Sequence, residues 1–191
     1  MINIEDLNTP YYKIFHLMEY NLEMLNSFEI KNPKGKGLER YLKEAAEINE
    51  KDGVSRTYII SDTKENLPVA YFTLQTGLIT VSRGLFKGFD VITGVELTNF
   101  AVNDAYREAR DVIPKLGAYL FITFVLPLVR EISKYVGSKF LYIYALPENE
   151  LMKHYATMGF QTIPSKQAKY VYRHVKPSYD KTCVFMWQPI N

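Results

Sequence analysis

The stretch that decides the fold is residues 141–160, LYIYALPENELMKHYATMGF. Its apolar first half is typical of a strand that is covered on both faces, and Pro147 interrupts that run. The residues that follow have helical spacing, and Gly159 ends the predicted helix. The sequence therefore predicts a strand over residues 140–145, a short turn and a helix, with Tyr155 four residues before Gly159 and Phe160 directly after it.

Length and composition indicate one globular domain of 191 residues with a substantial core. The hydrophobic fraction of 47% and charged fraction of 23% are ordinary for a soluble protein, and the net charge of +2 is too small to indicate a polyanionic partner by itself. The single cysteine, Cys183, excludes an intrachain disulfide and fits a reducing compartment. Together with three scattered histidines it gives no metal-ligand spacing, so no structural metal is expected.

The N-terminus indicates a cytoplasmic protein. Residues 1–10 include acidic side chains and lack a basic start followed by an apolar run, so no signal peptide is visible. The longest apolar stretch, residues 116–129, contains Pro127 and is too short to span a bilayer. We therefore expect no membrane partner.

Hydrophobic periodicity divides the chain into alternating elements. Residues 1–30 fit either a helix or a short strand near 12–19. The period changes after Gly53, which ends the first amphipathic helix. Pro127 lies inside the longest predicted helix, where it removes one backbone hydrogen bond. In chain order, the predicted elements are a helix (38–50), strands (56–61, 69–77 and 95–103), a helix (116–136), a strand (140–145), the helix before Gly159 and a last strand (182–188), which together indicate a mixed sheet with helices on both faces.

Three segments in this order resemble the Gcn5-related N-acetyltransferase (GNAT) superfamily. The first is LERYLKEAAEINEKDGVSRTYIISD (38–62) followed by VAYFTLQTG (69–77), which is similar to the opening of the branch with tRNA-directed toxins of toxin–antitoxin pairs. The second, VELTNFAVNDAYR (95–107), resembles the strand that runs into the CoA pyrophosphate loop. The third is the stretch 141–160, so the resemblance covers about residues 38–160.

This resemblance implies the α/β (α+β) GNAT acyl-CoA N-acyltransferase fold in a single domain, residues 1–191. That fold has a mixed, mostly antiparallel central sheet that is splayed at its parallel strands, with helices on both faces. The resemblance further implies an acyltransferase that uses acetyl-CoA as co-substrate, with no metal.

The same resemblance implies a CoA site around the third strand and the helix after it. Exposed backbone groups of the splayed strand would bond the pantetheine amides, and the pyrophosphate would lie at the helix N-terminus, where free N–H groups and the dipole favour anions. Asn149 either caps the helix in the stretch 141–160, which is the safer interpretation, or bonds the CoA arm. The residues assigned to CoA in this way are Phe100, Ala101, Val102, Arg110, Lys115, Leu116, Gly117, Ala118, Tyr119 and Asn149.

The phosphate loop departs from the usual pattern, Gln/Arg-x-x-Gly-x-Gly/Ala. Gly117-Ala118 keeps the last part, but Lys115 replaces the first glycine, the leading basic residue is missing and the loop is about five residues longer. Lys115, Arg110 or Arg107 would supply the missing charge, and the amides of Gly117, Ala118 and Tyr119 remain available. We expect CoA to bind with an altered grip on its phosphates.

Two residues are candidates for the chemistry. Tyr155 would donate a proton or a hydrogen bond to the departing CoA thiolate. Glu96 would deprotonate the acceptor amine through water; alternatively it is a strand-edge glutamate that faces solvent. Neighbouring residues on a helix point in different directions, so no His154–Tyr155 dyad is expected, and Cys183 is interpreted as a buried strand residue.

Residues 165–181, SKQAKYVYRHVKPSYDK, are the one segment with a skewed charge. Such a mixture of basic and aromatic residues either holds an RNA backbone with stacking support or forms a solvated helix, which is commoner, with Ser165 as cap and Pro177 as stop. The segment contains Lys166, Lys169, Arg173, Lys176 and Lys181 against Asp180, with Tyr170, Tyr172 and Tyr179 between them.

The favoured function is transfer of an acetyl group from acetyl-CoA to a primary amine by direct attack. A narrower alternative is toxin-like acetylation of aminoacyl-tRNA, with nucleic acid as partner. Another alternative is a catalytically inactive GNAT-fold module that binds CoA or a protein. The sequence leaves the acceptor open, and with it the choice between monomer and homodimer.

Overall fold

The strands form one seven-stranded sheet within residues 3–83, 88–172 and 182–190, which the computed structural model describes. The strands are β1 (Tyr12–His16), β2 (Arg56–Asp62), β3 (Pro68–Ser82), β4 (Phe89–Val102), β5 (Phe140–Ala145), β6 (Gln161–Thr162) and β7 (Val184–Pro189). Their order across the sheet is β1-β2-β3-β4-β5-β7-β6. The pairs β1–β2, β2–β3, β5–β7 and β6–β7 are antiparallel, whereas β4 and β5 are parallel. The predicted mixed sheet is confirmed.

Helices connect the strands. Residues 1–30, left open between helix and strand, contain β1 and short 3₁₀ turns at Ile4–Leu7, Leu17–Glu19 and Leu22–Ser27. A further 3₁₀ turn, Pro33–Gly35, precedes the first helix. The helices are α1 (Lys36–Arg40, a π-helical turn Tyr41–Ala45, and Ala46–Lys51), α2 (Asp104–Ala109), α3 (Leu116–Tyr135), α4 (Asn149–Thr157) and α5 (Ser165–Val171).

Helix α3 accommodates Pro127 by a change of helical type. A π-helical turn occupies Phe121–Val125 and ends two residues before the proline. A proline ring crowds the carbonyl four residues before it and cannot donate to it. The π turn shifts that carbonyl, and the helix continues past Pro127 to Tyr135. The prediction of one long helix with an interior proline is confirmed.

By length and composition, α3 could also cross a membrane. A helix in a protein core passes the same test. The sequence pattern predicts a buried stripe of Leu116, Leu120, Phe124, Leu128 and Ile132. The first four are each at most 4% exposed, whereas Ile132 is half-buried.

The chain forms two compact units, residues 1–75 with 98–128 and residues 76–97 with 129–191. In the first, Leu42 of α1 packs in a core with Phe28 and Tyr71, whose ring centroids are 5.4 Å apart. In the second, Tyr142 and Phe185 belong to the core, with ring centroids 5.5 Å apart. A single domain over residues 1–191 stays a prediction.

Within the first unit, the buried carboxylate of Glu50 ties α1 to two strands. Its Oε1 lies 2.9 Å from His16 Nε2 on β1 and 2.8 Å from Arg56 Nη1 on β2. Its Oε2 accepts a hydrogen bond of 2.8 Å from the Thr57 amide. Both oxygens are therefore paired, as a buried carboxylate requires.

Candidate active site

Glu96 is buried in the second unit. It lies opposite Tyr142 in the parallel ladder of β4 and β5, and the two residues are 4% and 3% exposed. The Tyr142 hydroxyl donates a hydrogen bond of 3.1 Å to Glu96 Oε2. The alternative of a glutamate that faces solvent is therefore wrong. A buried carboxylate that is held in place by a donor fits a general base.

Gly77 on β3 makes room for this hydrogen bond. A Cβ atom at position 77 would lie 1.8 Å from the Tyr142 hydroxyl oxygen, which no side chain tolerates. Tyr142 thus reaches over β4 into space that only a glycine leaves open. Neither residue is among those predicted from the sequence. The signal was a glycine inside the β-rich run 69–77, which marks a close approach.

Tyr144 extends the aromatic cluster around the carboxylate. Its ring stands edge-on to Tyr142, with centroids 5.9 Å apart, and 5.5 Å from Phe185. Burial raises the pKa of the Tyr144 phenol, and the negative charge of Glu96 raises it further. The Tyr144 phenol therefore stays protonated at neutral pH and can donate a hydrogen bond.

Tyr155 lies on α4 and is half-buried. Gly159 ends the helix with a φ of +94°, and the Phe160 amide then donates to the Tyr155 carbonyl at 3.1 Å. This turn folds the Phe160 ring against Tyr155, with centroids 5.7 Å apart at 79°. The predicted role of Gly159 as helix terminator is confirmed, and it explains why a glycine and an aromatic residue follow Tyr155.

The Tyr155 phenol is a hydrogen-bond donor at physiological pH. Burial raises its pKa to about 12. A phenol with that pKa is protonated at pH 7, and complete transfer of its proton to a thiolate, whose usual pKa is about 8.5, is uphill. The chemistry thus fits a hydrogen bond to the leaving sulfur better than full protonation.

Asn149, Ser165 and Cys183 differ from their predicted positions in the second unit. Glu148 holds the N-cap position of α4, and no side chain caps it, so Asn149 is an exposed first residue of the helix. Pro164 likewise precedes α5 in place of a Ser165 cap. Cys183 is half-buried and lies just before β7, and its carbonyl accepts a hydrogen bond of 3.1 Å from Tyr172. The two capping predictions are wrong, because each N-cap lies one residue before the predicted one. The placement of Cys183 in a strand is also wrong, because β7 begins one residue after it.

The phosphate loop belongs to the first unit. Lys115, which replaces the family's first glycine, adopts the left-handed conformation with φ +58° and ψ 40° at the N-cap of α3. The amides of Leu116, Gly117 and Ala118 lie in the first turn, where the helix supplies no acceptor. The Tyr119 amide donates to the Lys115 carbonyl at 3.1 Å, so the expectation that it is available for phosphate is wrong.

The cations considered for the phosphates differ in their contacts. Arg110 Nη2 pairs with Glu65 Oε2 at 2.7 Å, and Arg107 Nη1 lies 3.4 Å from Asp104 Oδ1. Within residues 3–83, 88–172 and 182–190, exposed Lys115 has no carboxylate partner. Among these three cations, Lys115 is therefore the one whose charge is left for an anion.

The third predicted strand, residues 95–103, corresponds to the second half of β4, and its last residues belong to the first unit. Ala101 is buried, Phe100 and Val102 are half-buried, and the Phe100 ring lies 6.2 Å from Phe121. The parallel ladder of β4 with β5 comprises only Val95–Leu141 and Glu96–Tyr142, although β4 continues to Val102. The splay that the resemblance implied stays a prediction.

Of the basic segment 165–181, residues 165–172 are described and form α5 with its last turn, while 173–181 lie outside the described residues. Lys166 and Lys169 are exposed, and Lys169 Nζ lies 5.1 Å from the centre of the Tyr170 ring. In the described part of the chain, no cluster of three potential metal ligands is present.

Comparison with known proteins shows the fold. No protein-family model matches the chain, and no curated protein sequence matches it. Among solved structures, a variant of the toxin AtaT bound to the C-terminus of the antitoxin AtaR and acetyl-CoA is 18% identical, with a TM-score of 0.64 over 94% of this chain and 93% of that one. A structure described as a bacterial toxin is 16% identical, with a TM-score of 0.68 over 95% and 92%.

A third structure, AtaT complexed with acetyl-methionyl-tRNAfMet, is 18% identical, with a TM-score of 0.62 over 91% of this chain and 93% of that one. At these identities the likeness shows the fold, and it extends over nearly the whole chain. The predicted fold, which these structures share, is confirmed.

Proposed function

We propose that this protein is an acetyl-CoA-dependent N-acetyltransferase that acetylates a primary amine by direct attack. The observation that carries the proposal is Glu96, a buried carboxylate that Tyr142 holds on the parallel strand pair of a GNAT fold. An amine attacks a thioester only when its nitrogen has lost a proton, and Glu96 would take that proton directly or through water.

Tyr155 assists the departure of the thiolate. Its protonated phenol would donate a hydrogen bond to the CoA sulfur as negative charge develops there. The Phe160 ring holds it against the end of α4. Asn149, exposed at the start of the same helix, stays a candidate for the CoA arm.

The first unit supplies the candidate grip on acetyl-CoA. The first-turn amides of α3, at Leu116, Gly117 and Ala118, and the Lys115 ammonium would bind the pyrophosphate. Backbone groups of Phe100, Ala101 and Val102 would bond the pantetheine amides. Arg110 and Tyr119 stay candidates, with the guanidinium of Arg110 already paired to Glu65.

Binding and turnover test this proposal separately. Calorimetry of acetyl-CoA with purified protein measures binding, and a thiol-release assay measures turnover across small amines, polyamines, peptides and charged tRNA. We expect acetyl-CoA to bind to wild type and to Glu96→Gln, and thiol release by Glu96→Gln to be on the order of 100-fold slower than by wild type. Absence of acetyl-CoA binding would defeat the proposal. Binding without release from any acceptor favours a catalytically inactive module, which the altered phosphate loop makes the rival candidate.

A narrower proposal is that the acceptor is the amino group of aminoacyl-tRNA. It is supported by the likeness to AtaT, which has been solved with acetyl-methionyl-tRNAfMet and with part of its antitoxin AtaR. Such an enzyme would arrest a cell-free translation system only when acetyl-CoA is present. Arrest that persists without acetyl-CoA, or no arrest, would exclude this acceptor and leave the small-molecule and peptide amines.

A further inference from the structure

A cavity of about 480 Å³ opens in the first unit, apart from the residues proposed for catalysis. We call it the tyrosine pocket; its walls include Tyr11, Tyr12, Asp62, Tyr106, Arg110 and Tyr119. These side chains come from the start of β1, the end of β2, α2, the loop after it and the first turn of α3. The pocket has enough volume for an organic group larger than a water molecule.

Four tyrosines contribute to its walls. The Tyr12 and Tyr119 rings have centroids 6.1 Å apart at 56°. On another wall, the Arg110 guanidinium carbon lies 5.8 Å from the centre of the Tyr106 ring. One wall of the pocket thus already holds a guanidinium over a tyrosine face.

A buried carboxylate also lines the pocket. Asp62 is 5% exposed, and its Oδ1 accepts hydrogen bonds from the amides of Lys64, Glu65 and Asn66, at 3.0, 2.7 and 3.1 Å. Its Oδ2 accepts no hydrogen bond from any residue that the structure describes. This oxygen is therefore an acceptor that a ligand in the pocket could use.

The charge of Asp62 reaches the aromatic walls. Burial raises the pKa of Tyr106 to about 12, and the Asp62 carboxylate is the next largest cause. The same carboxylate adds to the raised pKa of Tyr12. The phenols therefore remain neutral and electron-rich beside a negative charge.

The cations nearby do not cancel this charge. Arg110 is neutralised by Glu65 at 2.7 Å, which leaves Asp62 and exposed Asp111 against the one exposed ammonium of Lys64. An anion would meet Asp62 unpaired, which disfavours phosphate or carboxylate ligands here.

We propose that the tyrosine pocket binds an organic cation, a guanidinium or ammonium group that donates to Asp62 Oδ2 and packs against the tyrosine rings. A guanidinium matches the walls best, because it is planar, carries five donors and stacks on aromatic faces. The cation would come either from a polypeptide, as the guanidinium of an arginine side chain, or from a free polyamine, as an ammonium group. The pocket contains none of the proposed catalytic residues, although Arg110 and Tyr119 are also candidates for the acetyl-CoA site.

Amide chemical-shift titration of the full-length, ¹⁵N-labelled protein tests it. The probes are L-arginine amide, spermidine and L-citrulline amide, of which the last resembles arginine amide in shape but has a neutral side chain. We expect arginine amide to shift the amides of residues 62–66 and 106–113, and citrulline amide to bind about tenfold more weakly or not at all. Tighter binding of arginine amide than of spermidine points to a polypeptide source, and the reverse to a polyamine.

Substitutions at Asp62 and Tyr106 test whether these two residues bind arginine amide. Asp62→Asn keeps the Oδ1 acceptor for the three amides and removes the charge, so it should weaken arginine amide about tenfold. Tyr106→Leu should weaken it severalfold, and Tyr106→Phe, which keeps the ring, should not. Circular dichroism checks that each variant is folded, and the Tyr106 pair decides the outcome if Asp62→Asn unfolds.

Three results would overturn the proposal. The first is equal shifts from arginine amide and citrulline amide, or none from either. The second is unchanged arginine amide binding in both folded Asp62→Asn and Tyr106→Leu. The third is acetyl-CoA displacing arginine amide from the same amides, which would assign the pocket to the co-substrate.

Discussion

At the scale of single residues, Lys115 adopts a backbone conformation that favours glycine, in the loop that we propose for phosphate binding. The family pattern has a glycine there, and the lysine nevertheless adopts the left-handed backbone, with φ +58°. For a residue with a Cβ atom this conformation costs on the order of 1 kcal/mol. The chain keeps the loop geometry at that cost and gains a cation next to the first-turn amides of α3.

Two substitutions at this position separate the backbone from the charge. Lys115→Gly removes the ammonium and the strain, whereas Lys115→Ala removes only the ammonium. We predict that the free energy of unfolding in urea is higher for Lys115→Gly than for Lys115→Ala by about 1 kcal/mol. Both should bind acetyl-CoA more weakly than wild type by calorimetry. Equal unfolding free energies would show that the backbone at 115 is not strained.

Tyr155→Phe keeps the ring packing on Phe160 and removes the hydroxyl. We predict that turnover falls by on the order of 100-fold, with little change in acetyl-CoA affinity. Because the pKa of Tyr155 is raised to about 12, its ionisation should leave the rate unaffected between pH 7 and pH 9. Thiol-release kinetics across that range provide the measurement, and full activity of Tyr155→Phe would remove Tyr155 from the mechanism.

At the scale of elements, three strands cooperate to hold the proposed base. Gly77 on β3 leaves the space, Tyr142 on β5 fills it, and Glu96 on β4 accepts the hydrogen bond. The β-branched and aromatic residues of these strands account for the sheet, but they do not account for the glycine. A glycine inside a strand weakens the strand. Its presence at position 77 is explained by the space that the Tyr142 side chain occupies there.

Gly77→Ala tests this contact. We predict a loss of about 1–3 kcal/mol in the free energy of unfolding, because the new methyl group collides with Tyr142. The loss should be smaller in a Tyr142→Phe background, where the colliding hydroxyl is absent, although the ring still crowds the site. Urea denaturation of the two single variants and the double variant gives the coupling. Strict additivity would contradict the proposed contact.

Glu50 links helix and strands in the other unit. Glu50→Ala leaves the buried Thr57 amide without its acceptor and deletes the contacts to His16 and Arg56. We predict a loss of about 2 kcal/mol in the free energy of unfolding. The matched control is Glu47→Ala on the same helix, whose exposed pair with Lys51 should contribute less than about 0.5 kcal/mol. Equal losses would show that the buried network does not stabilise α1.

At the scale of the whole molecule, local patterns predicted the elements and missed what the sheet brings together. The stretch 141–160 specifies its own strand, turn and helix, because an apolar run and the glycine at 159 act locally. The partnership of Glu96 with Tyr142 depends on the register of parallel strands 46 residues apart. Sequence spacing carries no record of that register, and so Tyr142 was missed.

The caps show the same limit at shorter range. Asn149 was predicted to cap α4, but the cap position falls on Glu148. Helix boundaries move by a residue with little change in energy, so a good capping residue alone does not fix them. The tyrosine pocket was missed for the opposite reason, since its walls come from distant segments that only the fold brings to one place.

The most direct test of the central claim is acetyl transfer by the purified protein. Mass spectrometry would follow acetylated products from acetyl-CoA and a panel of primary amines, including charged tRNA, with wild type and Glu96→Gln. We predict an acetylated amine with wild type and on the order of 100-fold less with Glu96→Gln. Equal product from both proteins would contradict the role of Glu96, and no product from any amine would contradict the proposed activity.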